Sequence, residues 1–376
     1  MSDVRTGALA RLEPLLPRIA EHAIAVDRGG VFPTATIDAL AGAGLLGLVT
    51  PVAHGGLGGT VADAAVIVER IARVCASSAM VVGMHYAGAS VIAAAGPAEV
   101  NRAVAEGRHL STLAFSEAGS RSQFWAPVST ARVDQDGFVL DARKSWVTSA
   151  NHAAAYVWSS KPVSADGAST LWLVERGRPG LSVPAPFDGL GLRGNDSTPI
   201  TAAGVRVPAS ARLGADGGGF DLMMGVVLPG FNLMNAACSV GIGEAAITAA
   251  AAHAAATRFE HDGALLSSLP TVRAYLAKAK VQQEMARALW SDALVAVEAG
   301  RPDAMLAVLA VKAGCGDAVL EIVATCMRVC GGAAFRKDVG VDRAFRDAQA
   351  ASVMGPTSDV LYDFIGKALT GLPLFG

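Results

Sequence analysis

The sequence predicts an α+β protein that is mostly α. It reads as an N-terminal helical domain over residues 1–108, a central β-barrel-like domain over 109–220 and a C-terminal antiparallel four-helix bundle over 221–376. Three observations predict this. Hydrophobic residues make up 52% of the chain, and many are alanines in runs such as Ala249-Ala250-Ala251-Ala252, a composition suited to closely packed helices. From about Leu110 to Val207 the helical period gives way to strand-like alternation and short turns. Beyond Phe220 the helical period returns, in segments long enough for a bundle.

In the first part, Arg11-Leu12-Glu13-Pro14-Leu15-Leu16 opens an amphipathic segment. A further helix starts near Thr34, with Thr34 or Thr36 as its N-cap. Its end at Gly42-Ala43-Gly44 leads into His54-Gly55-Gly56-Leu57-Gly58-Gly59. That glycine density breaks helices, and without the Lys-Ser/Thr ending of a phosphate loop it reads as a connector. Helices follow over 63–73 and 80–95; the second is nearly all apolar and contains His85, either a satisfied core histidine or a proton carrier. In the second part, residues 128–133 alternate, Asp134-Gln135-Asp136-Gly137 turns and 138–141 resumes a strand, a hairpin. Strands over 156–160 and 170–174, and Val205-Arg206-Val207-Pro208, complete the block. In the third part, one helix spans 222–257, with Pro229 and Gly230 kinking it or delaying its start. Helices over 271–299 and 303–330 follow, separated by Gly300-Arg301-Pro302, and a last one runs from about Ser358 to Leu369.

The formal net charge is −2 and the Lys and Arg residues are scattered, so no surface for nucleic acid or anionic membrane is expected. No strongly apolar run reaches the roughly twenty residues of a transmembrane helix. The opening residues lack the apolar core of a secretory leader. Cys75, Cys238, Cys315, Cys326 and Cys330 are odd in number and contain no CxxC pair. Cys326 and Cys330 share a helix face, but no Cys/His pair accompanies them to complete a metal site. Buried reduced thiols, no metal and a cytoplasmic setting are the expectation.

The chemistry concentrates in two stretches. Lys144-Ser145-Trp146-Val147-Thr148-Ser149 closes a strand-like run and places an indole two residues from a β-hydroxyl. In an extended strand those two side chains share a face and could address one flat object. Leu113-Ala114-Phe115-Ser116-Glu117-Ala118-Gly119-Ser120 is a strand entering a loop of small residues, where backbone amides and hydroxyls can approach a ligand. Two readings stand: a planar cofactor with a hydrogen-bonding edge held between these segments, or a β-domain whose tryptophan fills its own core.

With these stretches in their order, the chain resembles the acyl-CoA dehydrogenase family of flavoproteins from about Thr34 to Leu369. Pro51 to Gly58 is similar to the family's Pro-x-x-x-Gly-Gly-x-Gly turn, Leu113 to Ser120 to its first flavin loop, and Lys144 to Ser149 to its Lys-x-Trp-Ile-Thr-Asn motif. Gly191 to Thr198, then Val205 to Pro208 and Gly217 to Phe220, resemble the end of its β-domain. Cys330-Gly331-Gly332 and Arg343-Ala344-Phe345-Arg346-Asp347 resemble its Gly-Gly-x-Gly-Tyr and Arg-x-x-Arg-Asp segments. The resemblance implies FAD as cofactor, an acyl-CoA or related small-molecule substrate, an electron-transfer partner and a homodimer or homotetramer. It also implies that Phe115 and Ser116 meet the pyrimidine side of the isoalloxazine, that Trp146 shields one ring face, and that Thr148 donates to N5, the hydride-accepting atom. Arg258 and Thr357 would contact the cofactor, Gly331 and Gly332 would leave room for FAD arriving across a subunit interface, and Ser120 and Arg193 would lie near the acyl thioester.

The pattern breaks at the catalytic base. The family's glutamate before Gly-Thr at the head of the last helix is replaced here by Gly355 in Met354-Gly355-Pro356-Thr357. A second known location for that base, near Phe231-Asn232, carries no carboxylate, Arg258 only loosely follows the family's Arg-x-x-Phe-Gly, and Pro270 stands where a glutamine is common. Three functions stay open. One is dehydrogenation of a thioester with a base from elsewhere, Asp359 or Asp196. Another is a monooxygenase using reduced flavin and oxygen, with His85 as proton donor. The third is flavin binding without turnover.

Overall fold

The computed structural model describes residues 2–120, 123–184 and 187–375. Six helices come first: α1 (Asp3–Leu12), α2 (Leu16–Gly29), α3 (Thr34–Gly42), α4 (Val61–Ala72), α5 (Ala76–Ala95) and α6 (Ala98–Ala105). Neither Thr34 nor Thr36 caps α3; its N-cap is Pro33, which makes no side-chain bond. The capping box lies instead on α4, where Thr60 Oγ1 accepts from the Asp63 amide (3.2 Å) and Asp63 accepts from the Thr60 amide (2.9 Å).

Helix α5 is buried almost all round, which explains its nearly all-apolar sequence. The expectation that no apolar run reaches membrane-spanning length needs correcting. By length and composition, α5 and the helical stretch Gly219–Ala256 both reach it. Each has 78% of its apolar window buried inside the fold, so packing against other helices accounts for the apolarity.

The β region comprises β1 (Ser111–Ala114), β2 (Thr130–Asp134), β3 (Gly137–Val147), β4 (Ala155–Ser160), β5 (Thr170–Glu175), β6 (Leu181–Ser182), β7 (Thr198–Pro208) and β8 (Arg212–Leu213). These form two four-stranded sheets, ordered β1-β4-β5-β8 and β2-β3-β7-β6, rather than one closed barrel. All pairs are antiparallel except β1 with β4. Alternate residues of β3, β4, β5 and β7 fill the space between the sheets, where Leu140, Trp158, Trp172, Ile200 and Val205 are fully buried. The tryptophans that fill this core are therefore Trp158 and Trp172.

Helical structure resumes with α7 (Gly219–Leu222), continues through a single π turn at Met223–Val227, and runs on as α8 (Leu228–Ala256). Pro229 directly follows the π turn within this continuous helix, where its missing N–H removes one bond from the helical ladder. Then come α9 (Pro270–Glu298), α10 (Ala304–Cys330), α11 (Val341–Ala348), α12 (Ala350–Val353) and α13 (Ser358–Thr370). Helices α8, α9 and α13 all pack on α10, giving the four-helix bundle, and α4 and α5 lie against α8. All five cysteines are free and buried.

Candidate functional site

A cavity of about 510 Å³ opens where the β region meets α5, α8 and the α11–α12 segment. Its walls come from Leu113, Phe115, Ser116, Ser145, Trp146 and Thr148 on one side, residues 187–192 on another, and Val227, Leu228, Phe231, Gln349, Ala350, Met354 and Gly355 from the helices. The π turn matters here, since Val227 is its last residue and Leu228 follows directly.

Trp146 is 70% exposed, the only tryptophan so uncovered among the described residues. The extended geometry expected of its strand does not hold. Trp146 has φ +55°, Ser149 has φ +59°, and the β3–β7 register shifts between Lys144 and Val147. A left-handed backbone at a bulky residue costs on the order of 1–3 kcal/mol and persists only where its surroundings force it. The neighbours supply that force. The Ser145 amide donates to the Ser116 carbonyl (2.9 Å), tying the two sequence stretches together immediately before the indole. The Lys144 ammonium, fully buried, donates to Glu117 Oε1 (2.5 Å), to the Ser159 carbonyl (2.7 Å) and to Ser159 Oγ (2.9 Å). Glu117 Oε2 in turn accepts from the Val128 and Ser129 amides. Burial works against the Glu117 carboxylate, but the Lys144 ammonium and these hydrogen bonds outweigh it and hold its pKa below the ordinary value. Thr148 is buried, with its Oγ1 3.0 Å from Ser197 Oγ.

The loop over 187–192 is pinned to the helices from below. The Leu192 amide donates to Asp347 Oδ1 (2.6 Å), and Arg346 Nη1 donates to the Leu190 carbonyl (3.2 Å). Arg346 also makes a two-pronged pair with Asp27 at 2.8 and 2.7 Å, joining α11 to α2. Gly191 sits so close to α11 that a Cβ would lie 2.2 Å from the Arg346 carbonyl oxygen, so only glycine fits. Full burial pushes the Asp347 carboxyl up to about 6.

Phe115, Ser116, Trp146, Thr148 and Gly355 thus converge on one cavity. Other expected site residues lie elsewhere. His85 is a core residue: its Nδ1 accepts from the Ser111 amide (3.0 Å), its Nε2 donates to the Leu46 carbonyl (2.9 Å), and burial pulls its pKa down to about 4. Neutral and fully engaged, it has no proton to offer at neutral pH. Asp359 is exposed in the first turn of α13, and Asp196 accepts from the Asn151 amide and side chain (2.7 and 3.0 Å); neither lines the cavity. Arg193 anchors its own loop, donating to the Asp27 and Gly189 carbonyls, and Ser120 donates to the Glu117 carbonyl; neither reaches the cavity wall. Arg258 is exposed and donates to the Gly263 carbonyl (3.0 Å). Thr357 caps α13, accepting from the Val360 amide. Gly331 and Gly332 end α10 at the surface, with open space around each.

Sequence reasoning passed over Asp188, the sole carboxylate among the described lining residues. Its side chain is 90% exposed, 3.4 Å from Arg193 Nη1. Nothing in the sequence around it signals that this segment faces the cavity.

Helices, then a pair of sheets, then a bundle, with an uncovered indole beside a buried hydroxyl at their junction, define a flavin-dependent dehydrogenase class of architecture. The family profiles agree: "Acyl-CoA dehydrogenase, N-terminal domain" matches residues 15–106, the middle domain 112–205 and the C-terminal domain 217–370. The chain is 28% identical over 363 residues to the probable acyl-CoA dehydrogenase YngJ of Bacillus subtilis, covering 93% of each protein. It is 28% identical over 359 residues to the cyclohex-1-ene-1-carbonyl-CoA dehydrogenase of Geobacter metallireducens, again covering 93% of each. Among solved structures, butyryl-CoA dehydrogenase from Megasphaera elsdenii superposes with a TM-score of 0.90 at 23% identity, over 98% of this chain and 99% of that one. The chain belongs to the acyl-CoA dehydrogenase family and is an FAD-dependent oxidoreductase.

Proposed function

We propose that the cavity holds the isoalloxazine of FAD against Trp146 and receives an acyl-CoA thioester for α,β-dehydrogenation. The observation that carries this is the uncovered indole, held by a strained backbone beside Thr148, at the mouth of a mostly apolar cavity. The residues present fit such a ring: an aromatic face to stack on, hydroxyls at Ser116 and Thr148, and aliphatic walls. Bound FAD would supply the acceptor for a hydride leaving the substrate β-carbon.

The chain's own residues supply the rest. Thr148 Oγ1 and Ser197 Oγ share one hydrogen bond; with Ser197 as its donor, the Thr148 hydroxyl hydrogen is free for the ring edge, where negative charge grows on reduction. Leu113, Phe124, Leu228 and Phe231 keep water away and suit an acyl chain. The α-proton needs an acceptor, and Gly355 and Phe231, at the two expected positions, supply none. Asp188 is the carboxylate left to take it, brought out of water when substrate covers the loop.

Anaerobic mixing of the FAD-loaded protein with a panel of acyl-CoA thioesters tests the proposal. Loss of the visible flavin band with at least one thioester is expected. The missing deep carboxylate favours a second reading, a monooxygenase: no loss of the band with any thioester, but an oxygenated product when reduced flavin and oxygen are supplied, would select it.

Assembly follows the same reading. Val281, Met285 and Leu289 recur every four residues on α9 and are all exposed, while Gly331 and Gly332 stand open at the end of α10. We place the contact of a homodimer or homotetramer on this face, with FAD reaching across it. An electron-transferring flavoprotein would reoxidise the bound flavin, and the buried reduced thiols suit the cytoplasm.

A further inference from the structure

We propose that Lys312, inside the C-terminal bundle, is a positioning residue for the active site, holding the Met354–Gly355 wall of the cavity in place. This rests on the reading of that cavity as the flavin site. Lys312 lies on α10 and is fully buried, and no described carboxylate lies within ion-pair distance of it. Its ammonium donates to three backbone carbonyls: Ala351 (3.2 Å), Met354 (3.0 Å) and Pro356 (2.8 Å).

Those carbonyls belong to the end of α12 and to the link before α13. The last carbonyls of a helix have no partner within it, and a cation there is doubly favourable, as donor and as counter-charge to the helix dipole. Three acceptors converging on one point match an ammonium, the only side-chain group that offers three donors from a single atom. The link so held carries Met354 and Gly355, both lining the cavity, and then Thr357, the cap of α13. From the opposite side, Asn235 of α8 donates to Met354 Sδ (3.5 Å).

A bare ammonium in the core is a costly choice. Burial opposes its charge and pulls its pKa down to about 7, with only Asp317 on its own helix acting the other way. An apolar side chain of similar length would remove that penalty but leave the three carbonyls without their donor, so the lysine is tied to the position of those groups rather than to packing. What Lys312 uniquely supplies is the fixed position of a short irregular link, in the place where the family's base would stand. That link needs holding, because Gly355 brings no side chain of its own to anchor it.

The test compares Lys312→Met and Lys312→Gln with the wild type by amide hydrogen exchange over residues 350–357 and by the anaerobic rate of flavin reduction. Faster exchange confined to 350–357 is expected in both variants, larger in Lys312→Met, which leaves all three carbonyls without a donor. Flavin reduction is expected to slow by about a hundredfold, as for a misplaced wall. Unchanged exchange over 350–357 in a folded Lys312→Met, or in Lys312→Gln should the first variant not fold, would overturn the proposal. That readout needs neither substrate nor flavin. A wild type that no thioester reduces therefore counts against the dehydrogenase reading, while the exchange result still decides Lys312.

Discussion

At the scale of single residues, the site depends on side chains that sit where their own stability would not put them. Trp146 is exposed on a left-handed backbone and Lys312 is buried without a counter-ion, while Asp188 stands in solvent on a glycine-rich loop, as carboxylates ordinarily do. Substituting Asp188 separates function from folding. In Asp188→Asn, the rate of flavin reduction by a reactive thioester should fall by about a hundredfold or more, the usual contribution of a general base. Its melting temperature should stay within a degree or two of wild type, since a solvated side chain supports no packing. An unchanged reduction rate would remove Asp188 from the mechanism. Trp146 and Thr148 were legible in sequence, but for a reason the structure corrects. Their shared face comes from a left-handed turn and a register shift, not from the alternation of an extended strand. His85 shows the limit of such reading, because an apolar helix tells nothing about which backbone groups will meet the two ring nitrogens.

At the scale of elements, the helical segments and the main strands were legible because their periods are strong. The π turn between α7 and α8 was not, since Leu222 to Met234 is apolar at nearly every position and an offset of one residue leaves no visible break in it. The loop over 187–192 escaped for a different reason. Its position is set by Asp347 and Arg346, more than 150 residues further on, and only folding reveals that pairing. Helix α9 carries an element-scale expectation. Val281 and Met285 are 61% and 68% exposed on one face, an apolar stripe that a second copy would cover. Met285→Glu should shift the sedimentation coefficient of the protein toward the monomer while costing the isolated fold within about 0.5 kcal/mol. If wild type and variant sediment alike, the stripe is not the contact.

At the scale of the whole molecule, the order of helices, then sheets, then helices was legible in the change of period along the chain and its return. What composition could not show was that the β region forms two open sheets, or that the cavity would lie at their junction with the helices. The junction is what joins fold to chemistry: the sheets present the indole and the hydroxyl, the α11 helix pins the loop, and the bundle supplies the opposite wall through Lys312. The central claim is that the indole of Trp146 is uncovered because a flavin ring belongs on it. Titration of FAD into the flavin-free wild type and into Trp146→Ala tests this most directly. Stacking on an aromatic face contributes about 0.5–1.5 kcal/mol beyond the area it covers, so the variant should bind FAD about tenfold more weakly at an unchanged melting temperature. Equal affinity in the two proteins would contradict the account.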